Sequence, residues 1–392
     1  MNVRIVAIAA LCCIAGAPVG GSAGPKAPPA PSRQLWYGPV LAGSRVVWLE
    51  SDGSQLVLES GAPGRHAAPL FGQDGAWLDD LAASPAVIAL ERRTMTCPPP
   101  APPIGHTCSE QREVLGGSPA GPFDLLAASD DCGGGAISVW PSVDVSGTVV
   151  AIGENVCLSP GNRRRRILVA RPGESRPSLL CDADLLADPP HCSGDARIAG
   201  RFVAWREGRD AIVVFDRIRR RVAYRRLFPR IESYDLQRDG KLVVAYHLRS
   251  AAAPAWVAWR SQRSDGRGLP FRIRIPDRRN AAVRIAADRI LAERALSRTS
   301  SALVLSDLHG RTRRIARFAG RVRRAGDFDL DGTRVTWAST RVTSSHTECP
   351  PPGILTPCVL EETGVTTIRL ASVAGGTPRV VARLAFHDVA RS

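Results

Sequence analysis

The stretch Ile198-Ala-Gly-Arg-Phe-Val-Ala-Trp205 consists of a short apolar strand, a glycine turn and a second apolar strand. The same phrase occurs seven times, and its copies start roughly 40 to 60 residues apart. A second pair of strand-like segments follows, for example Ala211–Asp216 and Arg221–Arg225. Four strands per repeat at this period are typical of a propeller blade. The copies begin at Val40, Leu81, Val143, Ile198, Tyr234, Ile285 and Phe328.

This repeat predicts an all-β fold. One four-stranded sheet cannot bury both of its faces, whereas sheets stacked around an axis cover one another. We therefore expect a β-propeller over residues 34–388, with seven four-stranded blades, or six if one copy belongs to an irregular insertion. A pair of β-sandwiches also shows short alternating strands, but the fixed recurring phrase favours the propeller.

The repeats resemble a known class of propellers. An Asp-x-x-Gly turn such as Asp144-Val-Ser-Gly147 precedes an apolar strand of the Val-Val-x-Trp type, and a later strand ends near Asp-x-x-Gly-x-x-Arg, as in Asp307–Arg313. This order is similar to the repeats of TolB-type and WD-like β-propellers over about residues 34 to 385. The resemblance implies a platform for protein binding, and in some members an attachment to a hydrolase domain.

The N-terminus indicates export. Met1-Asn-Val-Arg4 is basic, Ile5 to Ala17 is an apolar run, and Gly21-Ser-Ala23 supplies small residues. This order predicts a secretory signal peptide over residues 1–23, which contains Cys12 and Cys13, and a Pro-rich linker over 24–33. The apolar run is shorter than the ~20 residues that span a bilayer, so cleavage is favoured over the alternative, a retained membrane anchor. We expect a secreted or periplasmic, cell-envelope protein with no transmembrane segment in the mature chain.

Eight cysteines follow the signal, and an even number in an exported chain predicts disulfides. Spacing suggests that each cysteine pairs with its neighbour in the sequence. Two of the enclosed segments begin with Cys-Pro-Pro-Pro and follow the second strand of a repeat, so they are expected to project from the same face. Zinc sites need Cys-x2–4-Cys pairs, which are absent from the sequence. The expected pairs are Cys97–Cys108, Cys132–Cys157, Cys181–Cys192 and Cys349–Cys358.

No catalytic or cofactor motif is present, and we expect no cofactor. Asp327, Asp329 and Asp331 resemble the opening of a calcium loop, but the twelfth position is Ala338. An aspartate in a strand-to-turn corner that caps backbone amides is the other explanation for this slot, which is occupied in other copies by Asp144 and Asp235. The sequence favours a binding module. An exported lyase or glycan-active hydrolase with a site in the central channel remains the alternative.

The charge is unevenly distributed. The chain carries a net charge of +15, yet residues 201–324 hold 30 arginines and Lys241 against 11 acidic residues. Arginine runs on outer strands discourage edge-to-edge pairing, so a solvated rim is one interpretation. The other is a site for an anionic cell-envelope polymer or a protein. We expect no nucleic-acid partner and a monomeric chain. The candidate binding residues are Arg219, Arg220, Arg221, Arg225, Arg226, Arg313 and Arg314.

Overall fold

The structure is a computed structural model that contains strands and turns in its described residues, and no helix. None of those residues belongs to a helix long and apolar enough to cross a membrane. The predicted signal peptide, residues 1–23, and most of the linker lie outside the described residues. These cover 33–391 apart from 52–54, 66–67, 75–76, 97–108, 131–141, 160–161, 185–191, 193–195, 209, 248–254, 261–270, 273–281 and 350–357.

In the part of the chain that the structure describes, the strands form seven four-stranded antiparallel sheets, which follow one another along the chain and are numbered here in that order. Sheets 1 to 3 contain β1 Gln34–Ala42, β2 Arg45–Ser51, β3 Gln55–Gly61, β4 Ala68–Asp74, β5 Trp77–Ala83, β6 Ile88–Thr96, β7 Ser109–Gly117, β8 Phe123–Asp130, β9 Ser142–Ser146, β10 Val149–Ser159, β11 Asn162–Ala170 and β12 Ser178–Asp184.

Sheets 4 to 7 repeat the same order of four strands. They contain β13 Ala196–Ala199, β14 Phe202–Glu207, β15 Ala211–Asp216, β16 Arg221–Leu227, β17 Ile231–Leu236, β18 Leu242–His247, β19 Ala255–Arg260, β20 Phe271–Arg272, β21 Val283–Ala286, β22 Arg289–Ala295, β23 Ser300–Asp307, β24 Thr312–Ala319, β25 Val322–Leu330, β26 Arg334–Glu348, β27 Val359–Ser372 and β28 Arg379–Arg391.

The first strands of the sheets contact one another in a ring. Each first strand lies against the first strand of the next sheet, and β25 of sheet 7 returns to β1 of sheet 1. The backbone N–H of Leu41 donates to Oδ2 of Asp329 at 2.8 Å across this last joint. The N–H of Arg33 donates to the carbonyl of Ala385, also at 2.8 Å. The first strands are therefore innermost, and the prediction of an all-β propeller is confirmed.

Apolar side chains from neighbouring sheets fill each joint. Between sheets 7 and 1, Trp48 is fully buried with Leu41, Ile368 and Leu384. The β-branched and aromatic residues of the recurring phrase suit such surfaces because they pack well on a pleated sheet. The second strands carry long buried runs, such as residues 46–50 of β2, and third strands do so too, as residues 301–306 of β23 show.

The strand order defines two faces of the propeller. In a four-stranded antiparallel sheet, the first and third turns lie at the same end of the strands. We call the face with these turns the turn face, and the face with the second turns the loop face. The segments 97–108 and 349–358 both connect a second strand to a third, in sheets 2 and 7. The described strands that flank these segments, β6 and β7 in sheet 2 and β26 and β27 in sheet 7, therefore end at the loop face.

Inner strands of neighbouring sheets run in the same direction, which fixes the faces. Ser142, Asp144 and Ser146 of β9 accept the N–H groups of residues 196, 198 and 200 in turn, at 2.7–2.8 Å. Both series ascend along the chain, so β9 and β13 are parallel. All first turns therefore lie on the turn face.

Candidate functional site

The turn between β15 and β16 is the most basic exposed turn that the structure describes. Asp216, 1% exposed, organises it, because its Oδ1 accepts the N–H groups of Ile218 and Arg219 at 3.1 Å each. Its Oδ2 lies 3.4 Å from Nε of Arg201 and 3.9 Å from Nε of Arg219. One buried carboxylate therefore holds the turn in place. The four turn residues are Arg-Ile-Arg-Arg, so positive charge remains in excess.

Three of the seven candidate arginines carry that excess charge. Arg220 in the turn before β16, Arg221 at the start of β16, and Arg314 on β24 are exposed and form no ion pair with a described residue. Arg220 adopts a left-handed backbone conformation, with φ of 52°, which directs the chain into β16. Because both β16 and β24 begin at a third turn, all three side chains lie near the turn face.

Two further candidates are engaged within sheet 4. Arg225 forms an ion pair and hydrogen bond with Glu207, and the guanidinium of Arg226 lies 5.7 Å from the ring centroid of Tyr224. Both follow the outer strand away from the turn face. Each has a partner that explains its position, so these two arginines fit a solvated edge better than a free binding surface.

Arg313 connects two sheets. Its NH2 donates to the backbone carbonyls of Ser372, at 3.3 Å, and Val373. These acceptors lie at the end of β27, so the guanidinium joins sheet 6 to sheet 7. Replacing Arg313 therefore tests the fold as well as charge. The sequence places Arg313 directly beside the exposed Arg314, and nothing in it indicated that Arg313 bonds to the neighbouring sheet.

The basic character extends around the outer, third turns of the turn face. Their described residues hold seven arginines and a single acidic residue, Glu174, which pairs with Arg171 at 2.7 Å. The turns are residues 62–65, 118–122, 171–177, 217–220, 308–311 and 373–378. The arginines are Arg65, Arg171, Arg176, Arg217, Arg219, Arg220 and Arg311.

A second group of charged residues lines the inner strands, and sequence reasoning did not identify it as a group. Each of its four carboxylates accepts a backbone N–H from the inner strand of the next sheet, at 2.7–2.8 Å. Two guanidiniums lie among them. The group contains Asp80, Asp144, Arg197, Asp235, Arg284 and Asp329.

Burial changes the acidity of this group. It raises the pKa of Asp144 to about 7, against the guanidinium of Arg197 and the N–H of Ile198. It also raises the pKa of Asp80 and of Asp235. For Arg197, burial lowers the pKa, but the carboxylates of Asp144, Asp235 and Asp80 outweigh it and raise the value. On the inner strands, the guanidiniums therefore favour the ionised carboxylates, and the carboxylates favour the protonated guanidiniums.

Asp144 and Asp235 do accept backbone N–H groups, and both accept one from the next sheet. Oδ2 of Asp144 accepts the N–H of Ile198, and Oδ2 of Asp235 accepts that of Ile285, each in the next sheet. Side chains alternate between the two faces of an inner strand, so these aspartates can reach the next sheet. The repeated pairs Asp144-Val145 and Asp235-Leu236 were the sequence signal that could have predicted these bonds.

The calcium candidates are separated by their contacts. Oδ1 of Asp329 accepts the N–H of Leu330, while its Oδ2 takes part in the ring-closing bond. Oδ1 of Asp331 accepts the N–H groups of Thr333 and Arg334 within its own turn. The side chain of Asp327 lies outside the described residues. Within the described part of the chain, no group of three or more His, Cys, Asp or Glu side chains is arranged to hold a metal ion.

Two of the expected disulfides are formed. Cys181 on β12 is bonded to the buried Cys192, and Cys349 is bonded to Cys358 at the end of the β26–β27 hairpin. The pairs Cys97–Cys108 and Cys132–Cys157 lie outside the described residues, apart from the backbone of Cys157 in β10.

No family profile matches the chain, and no curated protein does. Solved structures are similar to the chain at a low level. They include apo AztD from Citrobacter koseri, with 10% identity, a TM-score of 0.41, and coverage of 73% of this chain and 86% of that one. Saccharomyces cerevisiae Sqt1 has 10% identity and a TM-score of 0.42, with 87% and 93% covered. Prolyl oligopeptidase B from Galerina marginata has 12% and 0.49, with 92% and 51% covered. Similarity at this level says nothing about activity or partners.

Proposed function

We propose that this chain is an exported, seven-bladed β-propeller that binds an anionic partner of the cell envelope through its turn face. The residues that carry the interaction are Arg220, Arg221 and Arg314. The supporting observation is that these three exposed guanidiniums have no ion-pair partner among the described residues. They can therefore meet an anionic ligand without first breaking an ion pair to a described residue.

Export is part of the proposal. The basic, apolar and small-residue order of residues 1–23 supports a cleaved signal peptide. The disulfides Cys181–Cys192 and Cys349–Cys358 support an oxidising compartment. A secreted or periplasmic location gives the turn face access to polymers and headgroups of the envelope.

The test is binding of the oxidised chain to a soluble anionic polymer, such as polyphosphate, over a salt series. The variant Arg220→Asn with Arg221→Gln removes two charges, and Asn is chosen because it tolerates the left-handed conformation at position 220. The matched control is Arg294→Gln with Arg298→Gln. Those two arginines are also exposed and without an ion pair among the described residues, but lie at the loop face.

We expect affinity to fall with salt, since exposed charges are screened, and to fall several-fold in the turn-face variant alone. Equal binding by both variants would mean that the arginines only solvate the rim. The protein would then have to bind through other surfaces, such as the loop face.

A central-channel enzyme is the second candidate function. It is supported by the four inner-strand carboxylates, one of which, Asp144, has its pKa raised to about 7. A carboxyl with such a value is suited to general acid–base chemistry near neutral pH. Screening Asp144→Asn against the unmodified chain on envelope glycans would support this function if turnover appeared and depended on Asp144.

A further inference from the structure

Exposed apolar side chains are concentrated on the same face as the free arginines. Seven large apolar residues of the described chain are exposed, and five of them lie at the outer edge of the turn face. The two others, Leu227 and Leu296, lie at the loop face. The five are Leu125, Leu179, Ile218, Val222 and Val380.

Four of these five side chains occupy the same position in their sheets. The pairing of the third and fourth strands is interrupted by a one-residue register shift in every sheet except sheet 5. In four sheets, the fourth-strand residue next to that shift, on the turn-face side, is apolar. These residues are Leu125 in sheet 2, Leu179 in sheet 3, Val222 in sheet 4 and Val380 in sheet 7. In sheet 6 the residue at this position is Arg314. A β-bulge re-aims the adjacent side chain, so these residues form one structural ring.

Ile218 is the fifth apolar residue, and it stands on the basic turn itself. It is 67% exposed, although the third turn of sheet 6 places its own apolar residue, Leu308, against the core. Both turns are held by an aspartate at the end of the third strand, Asp216 or Asp307. The exposure of Ile218 is therefore a property of this turn and is not required by the turn type.

We infer that the turn face docks on the surface of an anionic phospholipid bilayer. The inference rests on the proposed function and names its partner. Equivalent positions in repeated sheets lie at one height along the propeller axis, so the outer rim can meet a flat surface at several sheets together. Apolar side chains then enter the interface, and guanidiniums such as Arg220 and Arg221 meet phosphates, the combination that holds peripheral proteins on anionic membranes.

The distribution favours a bilayer over a protein partner. Protein interfaces bury a contiguous apolar centre inside a polar rim. Here the apolar residues are spread over sheets 2, 3, 4 and 7, and the third turns of sheets 3 and 4 hold five arginines against one acidic residue, Glu174. A laterally extended anionic surface matches this arrangement, because it needs no single deep contact point.

The test is co-sedimentation of the oxidised chain with vesicles of phosphatidylglycerol and phosphatidylcholine, and with vesicles of phosphatidylcholine alone. The apolar variant is Ile218→Ser with Leu179→Ser. Its control is Leu227→Ser, which removes an equally exposed side chain, at 71%, from the opposite end of β16. Binding of the apolar variant and of Leu227→Ser to polyphosphate is measured in parallel to show that both are folded and still basic.

We expect binding to the anionic vesicles only, at least tenfold weaker binding for the apolar variant, since fully burying even one of its two apolar side chains is worth about tenfold, and no change for Leu227→Ser. Loss of two arginines should weaken vesicle binding more than tenfold, at roughly fivefold for each charge near the surface. Vesicle binding that survives in the apolar variant but fails in the arginine variant would overturn bilayer docking and leave the proposed function standing. Polyphosphate binding without vesicle binding would have the same meaning. Failure of both would overturn both proposals.

Discussion

At the scale of single residues, Asp144 shows how burial turns a repeated aspartate into a pH-sensitive group. Its pKa is raised to about 7 in the folded chain, from an ordinary value near 4. The folded state therefore binds a proton that the unfolded state has released. The contribution of Asp144 to stability is complete below about pH 4 and is lost as the pH rises through 7.

Replacing Asp144 by Asn should remove this pH dependence while keeping an oxygen for the N–H of Ile198. We expect the free energy of unfolding of the variant, relative to the unmodified chain, to rise between pH 4 and pH 7. The slope is at most about 1.4 kcal/mol per pH unit for one group. Urea unfolding at a series of pH values measures it.

Asp331→Asn is the control with the opposite sign. Hydrogen bonds from Thr333 and Arg334 lower the pKa of Asp331 although burial opposes them, so its contribution is present above its unfolded value and is lost as the pH falls. Parallel curves for both variants would mean that the two carboxylates have the same environment, contrary to the structure.

At the scale of elements, the two described disulfides have different surroundings and should have different effects. Cys192 is fully buried in the cluster between sheets 3 and 4. Changing Cys181 and Cys192 to Ser should lower the global free energy of unfolding by about 3 kcal/mol, the loop-entropy value for a segment of this length. Urea unfolding under oxidising conditions gives the result.

Cys349 and Cys358 close a hairpin whose end is mostly exposed, since the last residues of β26 project beyond the core. The corresponding double Ser variant should fray residues 343–348 and 359–363, seen as faster hydrogen exchange there, and should change the global unfolding midpoint little. A large global loss from this pair would show that the hairpin end belongs to the cooperative core.

The elements also mark the limit of prediction from sequence. The repeated phrase predicted the strands because apolar alternation and a Gly turn are local signals, as in Ile198–Trp205. It did not predict the inter-sheet bonds of Asp144 and Asp235, the sheet-joining role of Arg313, or the bulge that exposes Val222. These depend on which backbone group of a distant sheet faces the side chain, and spacing along the chain carries no such information.

At the scale of the whole molecule, the joint between sheets 7 and 1 is the one without a covalent connection in the ring. Its core includes Ile368, which is fully buried beside Trp48. Ile212 is equally buried between sheets 4 and 5, where the chain itself links the two sheets. The same Ile→Ala substitution at the two sites therefore compares a closing joint with an ordinary one.

Both variants should lose about 2–5 kcal/mol of global stability, the usual cost of a large buried aliphatic replaced by Ala. Only Ile368→Ala should also open locally, because sheets 1 and 7 can separate without unfolding the rest. Native-state hydrogen exchange at low urea should then show early loss of protection in β1 and β28, and none of this in Ile212→Ala. Uniform exchange in both variants would mean that the ring unfolds as one unit and that its closing joint is no weaker than the others.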